Sequence, residues 1–215
     1  CIRDRRYMSG SATHAPMTIR VQSGGGMGGF GAQHSQSMEA WLLHSPGIKV
    51  VYPSNPIDAK GLLASCIADP DPCVMIESMM LLFTQKADVP VGEYAIPLGV
   101  AKVVREGSDV TLVSYGWMLH QTLAAAEELA KEGISAEVID LRSLMPIDYH
   151  RILTSVKKTG RLVVVHAAVE FCGYGAEICS TVNEELWGQM KGPAIRFGAA
   201  YAPMAYSSAI EFSQV

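Results

Sequence analysis

The first candidate for chemistry is a histidine that comes directly after a run of glycines. The segment from Gly24 to Gly31 holds six glycines, and His34 follows three residues later at the start of a predicted helix. An imidazole has an unperturbed pKa near neutrality, which suits proton transfer to or from a bound ligand. A hydrogen-bonded loop histidine fits the same pattern. His34 is therefore the leading candidate catalytic residue, with both roles open.

The glycine run also contains the GxGxxG pattern twice, at Gly24/Gly26/Gly29 and at Gly26/Gly28/Gly31. It lies between a predicted strand and a predicted helix, as in dinucleotide-binding folds. Those folds place an acidic residue at the end of the next strand, whereas the residues 52–54 here are Tyr-Pro-Ser. An NAD site is therefore a weak alternative, beside close backbone approach to a ligand and a plain flexible loop.

Three other titratable residues are weaker candidates for a functional role than His34. His166 ends an apolar strand, at the edge where open α/β sheets bind ligands, so a functional and a structural role are equally compatible with it. Glu77 closes a buried strand, which favours a structural ion pair or hydrogen bond. Glu39 is the other acid near the first loops. No HExxH, GxSxG or phosphate-binding loop motif occurs in the sequence.

The five cysteines predict free thiols in a reducing compartment. Their count is odd and no pair has CxxC spacing, so neither a disulfide framework nor a zinc site is indicated. Cys172 lies in a glycine-rich turn and could be a nucleophile only with a base and a lowered thiol pKa. The others are Cys1, Cys66, Cys73 and Cys179.

The elements that must position these residues alternate between strand and helix, which indicates an α/β fold with largely parallel sheets. Ser35 and Asn55 are predicted to cap helices, the second followed by Pro56 at the first helical position. Asp148 and Gly160 should begin and end another helix. Strands are predicted at 17–22, 48–52, 73–76, 110–114, 135–139, 161–165 and 194–197, and further helices at 119–129 and 176–186.

Composition excludes several classes of protein. The 215 residues are 49% hydrophobic and 18% charged, which is typical of a globular chain with one or two domains. The net charge of −4 argues against a nucleic-acid partner. No apolar run approaches the length that spans a bilayer, which argues against a membrane role. Polar residues, proline and glycine at 86–99 indicate a linker between two domains.

Taken together, the motifs resemble the β-subunit of thiamine-diphosphate-dependent 2-oxo acid dehydrogenases, the transketolase-like family of the pyruvate, branched-chain and acetoin enzymes. The resemblance covers nearly all of the chain, in order and in register. It rests on GAQHSQS at 31–37, PGIKVVYPS at 46–54, DAKGLL at 58–63, EGSDVTLVSYG at 106–116, AEVIDLRSLMPID at 136–148 and GYGAEI at 173–178.

The resemblance implies part of a pyrimidine-binding domain at 1–85, a linker at 86–99, and a transketolase C-terminal domain with a parallel or mixed sheet at 100–215. It implies that His34 matches the active-site histidine that handles protons and acyl transfer to a lipoyl group. The implied cofactor is thiamine diphosphate, shared with an α-subunit that carries magnesium. The implied partners are that α-subunit, in an α2β2 assembly, and a lipoyl-bearing acyltransferase core.

A structural potassium site is also implied by position. Its oxygen ligands suit a hard cation. They would be the Asp69 side chain and the main-chain carbonyls of Ala15, Met17, Thr18, Cys66 and Asp71. Ala15-Pro16 departs from the pattern expected before the strand.

One residue of the family has no counterpart. The Glu that activates thiamine lies upstream of an Arg-Tyr-Met-Ser-Gly segment, which here occupies residues 6–10, and the chain begins with Cys1 and not with Met. We therefore expect an N-terminally truncated β-subunit that is inactive without the missing region and an α-subunit. His166-Ala167-Ala168 departs from the acidic residue that many members carry at this point.

Two functions follow as hypotheses. In the first, the chain is part of a β-subunit that supports oxidative decarboxylation of a 2-oxo acid, in a bacterial cytoplasm or a mitochondrial matrix. In the second, it is a non-catalytic assembly or binding module of such a complex. The sequence does not distinguish pyruvate, branched-chain 2-oxo acids and acetoin as substrates. Half of a pyrimidine-binding domain would also leave apolar edges exposed, which predicts self-association.

Overall fold

The computed structural model describes residues 8–10, 12–24 and 30–211. Cys1 and the middle of the glycine run, 25–29, lie outside the described residues. The predictions that rest on the GxGxxG pattern and on the first seven residues therefore also lie outside them. The strands are β1 Thr18–Ser23, β2 Lys49–Val51, β3 Cys73–Ser78, β4 Lys102–Arg105, β5 Val110–Ser114, β6 Ala136–Asp140, β7 Ser143–Met145, β8 Leu162–Val169 and β9 Ile195–Ala199. The helices are α1 Gly31–His34, α2 Glu39–Leu43, α3 Pro56–Ala68, α4 Met79–Thr84, α5 Met118–Lys131, α6 Tyr149–Thr159, α7 Tyr174–Glu185 and α8 Ser208–Glu211.

Two sheets form the framework. The first has the order β1-β3-β2-β7, in which β1 and β2 both run parallel to β3 and β7 runs antiparallel to β2. The second has the order β4-β6-β5-β8-β9, parallel except for β4. Since β7 belongs to the second half of the chain, the two halves share the first sheet.

Local sequence signals explain the longer helices. The Asn55 side chain accepts a hydrogen bond from the Asp58 N–H at 2.8 Å, which caps α3, and Pro56 is its first residue. Asp148 accepts from the Arg151 N–H at 2.9 Å, and Gly160 ends the same helix in the left-handed region at φ 76°. These predicted helices and caps are confirmed.

The helix predicted to begin at Ser35 is wrong. Ser35 instead follows α1 and lies before the separate helix α2, and it makes no side-chain capping bond to either helix. Of the periodic apolar residues, 41 and 42 lie in α2 and 38 is the residue before it, and the pattern did not reveal that α1 precedes α2. The sequence also gave no sign of β4, β7 and α4, which have three to six residues each. The two strands depend on pairing with β6 and β2, which lie far away in the sequence.

A common core joins the halves. Tyr52 and Ile76 of the first half pack in one buried cluster with Val113 and Ile139 of the second. Residues of the predicted linker also pack against α3, where the Ile96 N–H donates to the Gly61 carbonyl at 3.1 Å. Across the ranges that the structure describes, no helix is both long and apolar enough to cross a membrane.

Candidate functional site

His34 ends α1, close to the carboxyl end of β1, and its side chain is exposed. A Cβ atom added at Gly24 would overlap the carbonyl oxygen of His34. Only glycine therefore allows the chain leaving β1 to approach the His34 backbone this closely. The structure thus presents an accessible imidazole at the edge where parallel sheets bind ligands. The sequence had placed His34 at the start of a helix, whereas it is the last residue of α1.

The segment after His34 is fixed at several points. Ser23, the last residue of β1, donates its hydroxyl to the Gln36 carbonyl at 3.3 Å, and the Gln36 side chain donates to the Ala32 carbonyl at 2.7 Å. Glu39 then enters the core, where its carboxylate oxygen Oε1 accepts from the Tyr115 hydroxyl at 3.1 Å. Glu39 was singled out in the sequence only as a nearby acid, and its partner is 76 residues away.

A cavity of about 420 Å³ lies between this segment and the carboxyl ends of β8 and β9. It is lined by residues 35–37 on one side and by Ala167, Val169 and residues 199–204 on the other. Ser35 is buried, and its hydroxyl has no hydrogen-bond partner among the described residues. Both halves of the chain therefore build the cavity that begins at Ser35, the residue directly after His34.

His166 does not reach this cavity. It is buried, and its Nδ1 lies 3.0 Å from the Ala168 carbonyl, so Nδ1 must carry the proton and donate. Burial lowers the pKa of His166, which keeps the ring neutral. Gly173, Gly175 and Gly198 surround the imidazole so closely that a Cβ atom on any of them would crowd it. These contacts favour the structural alternative for His166.

The acids beside the first sheet are already engaged. Arg20 binds both oxygens of Glu77 at 2.9 Å, which confirms the structural ion pair predicted for Glu77. Glu39 is fully buried and bonded to Tyr115. Arg20 thus occupies the Glu77 carboxylate, and burial closes off that of Glu39, whose Oε2 has no partner among the described residues. Among the described residues, neither of these two acids matches the free activating carboxylate that the resemblance implies.

The residues implied for potassium gather where β1 and β3 begin and α3 ends. Asp69 pairs with the Lys49 ammonium at 2.6 Å, and its Oδ1 accepts from the Asp71 N–H at 2.9 Å. The Met17 carbonyl accepts from Cys73 N–H, and that of Cys66 accepts from Asp69 N–H. Ala15 and Thr18 belong to the same stretch of chain. Within the described ranges, no cluster of three or more acidic, histidine or cysteine side chains could hold a metal.

The cysteine side chains follow the prediction in part. Cys66, Cys73 and Cys179 are buried free thiols, and burial raises the pKa of Cys179 to about 11. Cys172 is exposed and lines a cavity of about 490 Å³ that His44 also lines.

Two family models match the chain. The transketolase pyrimidine-binding domain matches residues 3–84, and the transketolase C-terminal domain matches residues 99–214. The fold and the two matches define a transketolase-type α/β protein. The chain belongs to the transketolase family, with the two domains in the predicted order, so the predicted fold class is confirmed.

Within this family, the chain is similar in sequence to β-subunits of pyruvate dehydrogenases and of an acetoin oxidoreductase. The chain is 44% identical over 204 residues to "Pyruvate dehydrogenase E1 component subunit beta" of Bacillus subtilis, covering 95% of this chain and 62% of the relative. It is 43% identical over 206 residues to "Acetoin:2,6-dichlorophenolindophenol oxidoreductase subunit beta" of Cupriavidus necator, covering 96% and 60%. A mitochondrial pyruvate dehydrogenase β-2 subunit of rice is 44% identical over 208 residues, covering 95% and 55%. The chain thus spans about three fifths of the length of these relatives.

Solved structures support the fold. A structure titled "Split gene transketolase, inactive beta4 tetramer" has a TM-score of 0.73 at 23% identity, covering 94% of this chain and 64% of that one. A transketolase from Pichia stipitis has a TM-score of 0.62 at 16% identity, and the match covers 98% of this chain and 30% of that one.

Proposed function

We propose that this chain acts as part of the β-subunit of a thiamine-diphosphate-dependent 2-oxo acid dehydrogenase, with His34 as its catalytic residue. The observation that carries the proposal is the exposed imidazole of His34 at the carboxyl edge of the first sheet, beside a cavity built by both halves. The relatives named as pyruvate dehydrogenase and acetoin oxidoreductase β-subunits support it.

In this proposal the lipoyl group accepts the acyl group as its disulfide opens: one sulfur becomes the thioester, and His34 donates the proton that makes the other sulfur a thiol. Thiamine diphosphate supplies a nucleophilic carbon to such reactions when it is bound. An α-subunit would hold the diphosphate and magnesium, and the assembly would be α2β2 on a lipoyl-bearing acyltransferase core. A potassium ion beside Asp69 would be structural. The compartment is a bacterial cytoplasm or a mitochondrial matrix, since relatives occur in both kinds of organism.

The test compares the chain alone with the chain inside its complete coding sequence, produced together with an α-subunit. We expect turnover of pyruvate, a branched-chain 2-oxo acid or acetoin only in the complete assembly. His34→Ala should abolish acyl transfer to lipoamide, whereas His150→Ala, which changes an exposed histidine on α6, should not. Absence of turnover by the complete assembly would refute the proposal.

A second candidate function is a non-catalytic assembly module. It is favoured by the lack of a free activating carboxylate among the described residues near His34. The related solved structure titled an inactive β4 tetramer is in keeping with such a role. Binding of the isolated chain to an α-subunit or to the acyltransferase core without turnover, measured by calorimetry, would support this function.

A further inference from the structure

The side chain of Glu39 is an unusual feature of the segment that carries His34. Glu39 is the first residue of α2, five positions after His34, and it is 0% exposed. A buried carboxyl group is costly unless hydrogen bonds compensate it. The Tyr115 hydroxyl donates to Oε1 at 3.1 Å, while Oε2 has no partner among the described residues. The bond to Tyr115 is thus the main polar anchor of α2.

Tyr115 is itself held firmly in the second half of the chain. It follows β5 and is almost fully buried. Its ring lies 5.7 Å from the ring of Tyr52 and stacks on the imidazole of His166 at 6.5 Å, with 14° between the planes. These two aromatic contacts and its burial restrict the movement of the Tyr115 ring. Tyr115 is therefore a rigid donor that binds the helix after His34 to the second sheet.

The backbone between His34 and Glu39 has few ways to move. Gly24 lies against the His34 carbonyl at one end, and Ser23 donates to the Gln36 carbonyl in the middle. Only four residues separate His34 from Glu39, so a shift of Glu39 is transmitted directly to the end of α1. The three contacts therefore hold the backbone from His34 to Glu39 in place.

We propose that Glu39 and Tyr115 are positioning residues for His34, which act through the hydrogen bond between them. This inference rests on the proposed function only for its effect on turnover, because the position of His34 can be measured without it. Burial raises the pKa of Glu39 and so favours its uncharged form, of which glutamine is the neutral analogue. Glu39→Gln keeps an oxygen that accepts from Tyr115, whereas Glu39→Leu does not.

The first experiment records the His34 ring signals by NMR in histidine-labelled protein, assigned with His34→Gln. Tyr115→Phe removes the donor and leaves the ring in place. The matched control is Thr111→Val, which removes a buried hydroxyl bonded to Thr159 at 2.8 Å at the opposite end of β5. We expect Tyr115→Phe and Glu39→Leu to shift or broaden the His34 signals, and Glu39→Gln and Thr111→Val to leave them unchanged.

The second experiment measures turnover in the complete assembly with an α-subunit. Misplacement of a catalytic group lowers kcat more than it raises KM, and we expect Tyr115→Phe to lower kcat about tenfold. Thr111→Val should leave kcat within about twofold. Equal effects of Tyr115→Phe and Thr111→Val in either experiment, or equal effects of Glu39→Gln and Glu39→Leu, would overturn the inference. If no assembly turns over a 2-oxo acid, the proposed function fails and the NMR result alone decides the positioning role.

Discussion

The carboxyl group of Asp140 is the most strongly constrained acid at the junction of the two halves. It ends β6, is fully buried, and accepts from the Ser54 hydroxyl and the Arg142 N–H, both at 3.1 Å. Asp58 faces it as a second acid and pairs with Arg142 at 3.2 Å. Burial outweighs the hydrogen bonds and raises the pKa of Asp140 to about 7.

Asp140 therefore predicts a pH dependence of stability. Between about pH 4 and pH 7 the folded chain keeps a proton that the unfolded chain releases, so stability falls as the pH rises through this window. Asp140→Asn retains the accepting oxygen and removes the charge. We expect it to raise the free energy of unfolding at pH 8 by about 1 kcal/mol or more, with little change at pH 4. Urea unfolding at both pH values measures this, and a loss of stability at pH 8 would contradict it.

Glycine packing around His166 gives a second prediction at the residue scale. A Cβ atom at Gly173 would lie 2.5 Å from both the His166 ring and the Val169 carbonyl oxygen. Gly173→Ala should therefore destabilise the fold by about 1–3 kcal/mol through overpacking. Gly192→Ala is the control, because nothing lies within 4 Å of its Cβ position. Thermal unfolding of both variants tests the prediction, which fails if their melting temperatures fall equally.

Residue types alone predicted some of these roles and not others. The buried thiols and the ion pair of Glu77 followed from local pattern, because apolar neighbours and strand position can be read from adjacent residues. The setting of His34 did not, since it ends a short helix that the sequence did not reveal. The role of Glu39 was not predictable, since its environment depends on Tyr115 from another sheet. The shared cavity of Cys172 and His44 was equally unpredictable, because these two residues are far apart in the sequence.

At the scale of single elements, α3 has the clearest start signal. The Asn55 oxygen accepts the Asp58 N–H, one of the first N–H groups that have no partner within a helix. Asn55→Ala should lower the free energy of unfolding by about 1 kcal/mol, whereas Asn55→Ser, which can also cap, should lose much less. Denaturant titration of the two variants decides between a capping role and simple loss of side-chain contact, for which both would be equally destabilised.

The end of α3 carries the potassium prediction. If main-chain carbonyls near Asp69 bind a hard cation, the folded chain alone binds it, and the melting temperature should rise with potassium concentration. We expect a melting temperature several degrees higher in potassium chloride than in choline chloride at equal ionic strength. Identical curves would instead indicate that the Lys49 ammonium, already paired with Asp69, is sufficient as the cation at this point.

Elements were predictable in proportion to their local signals. Helices with a cap and a stop, such as α3 and α6, were placed correctly because their terminal hydrogen bonds come from adjacent residues. Ser35 was misassigned because a serine between two short helices has the same local sequence as a cap. The three residues of β7 form a strand only because β2 lies beside them.

At the scale of the whole molecule, the open edge of the first sheet is the feature with a measurable consequence. Among the described residues β1 pairs with β3 alone, and Ile19 on this edge strand is partly exposed. Leu82 and Phe83 on the neighbouring helix α4 are also exposed, by 53% and 69%. An unpaired strand edge beside apolar side chains is a template for association with another chain.

We therefore expect the chain by itself to form concentration-dependent oligomers in light scattering. Ile19→Lys places a charge on the edge strand and should shift the distribution towards monomer, because burial of an unpaired ammonium is costly. Trp187→Lys is the matched control, since this exposed tryptophan lies beyond α7 in the second half. A monodisperse monomer of the unaltered chain, or equal effects of the two substitutions, would contradict association through the β1 edge. An α-subunit, or the remainder of a longer β-subunit, that covers this edge should dissociate the oligomers when it is added, as Ile19→Lys does.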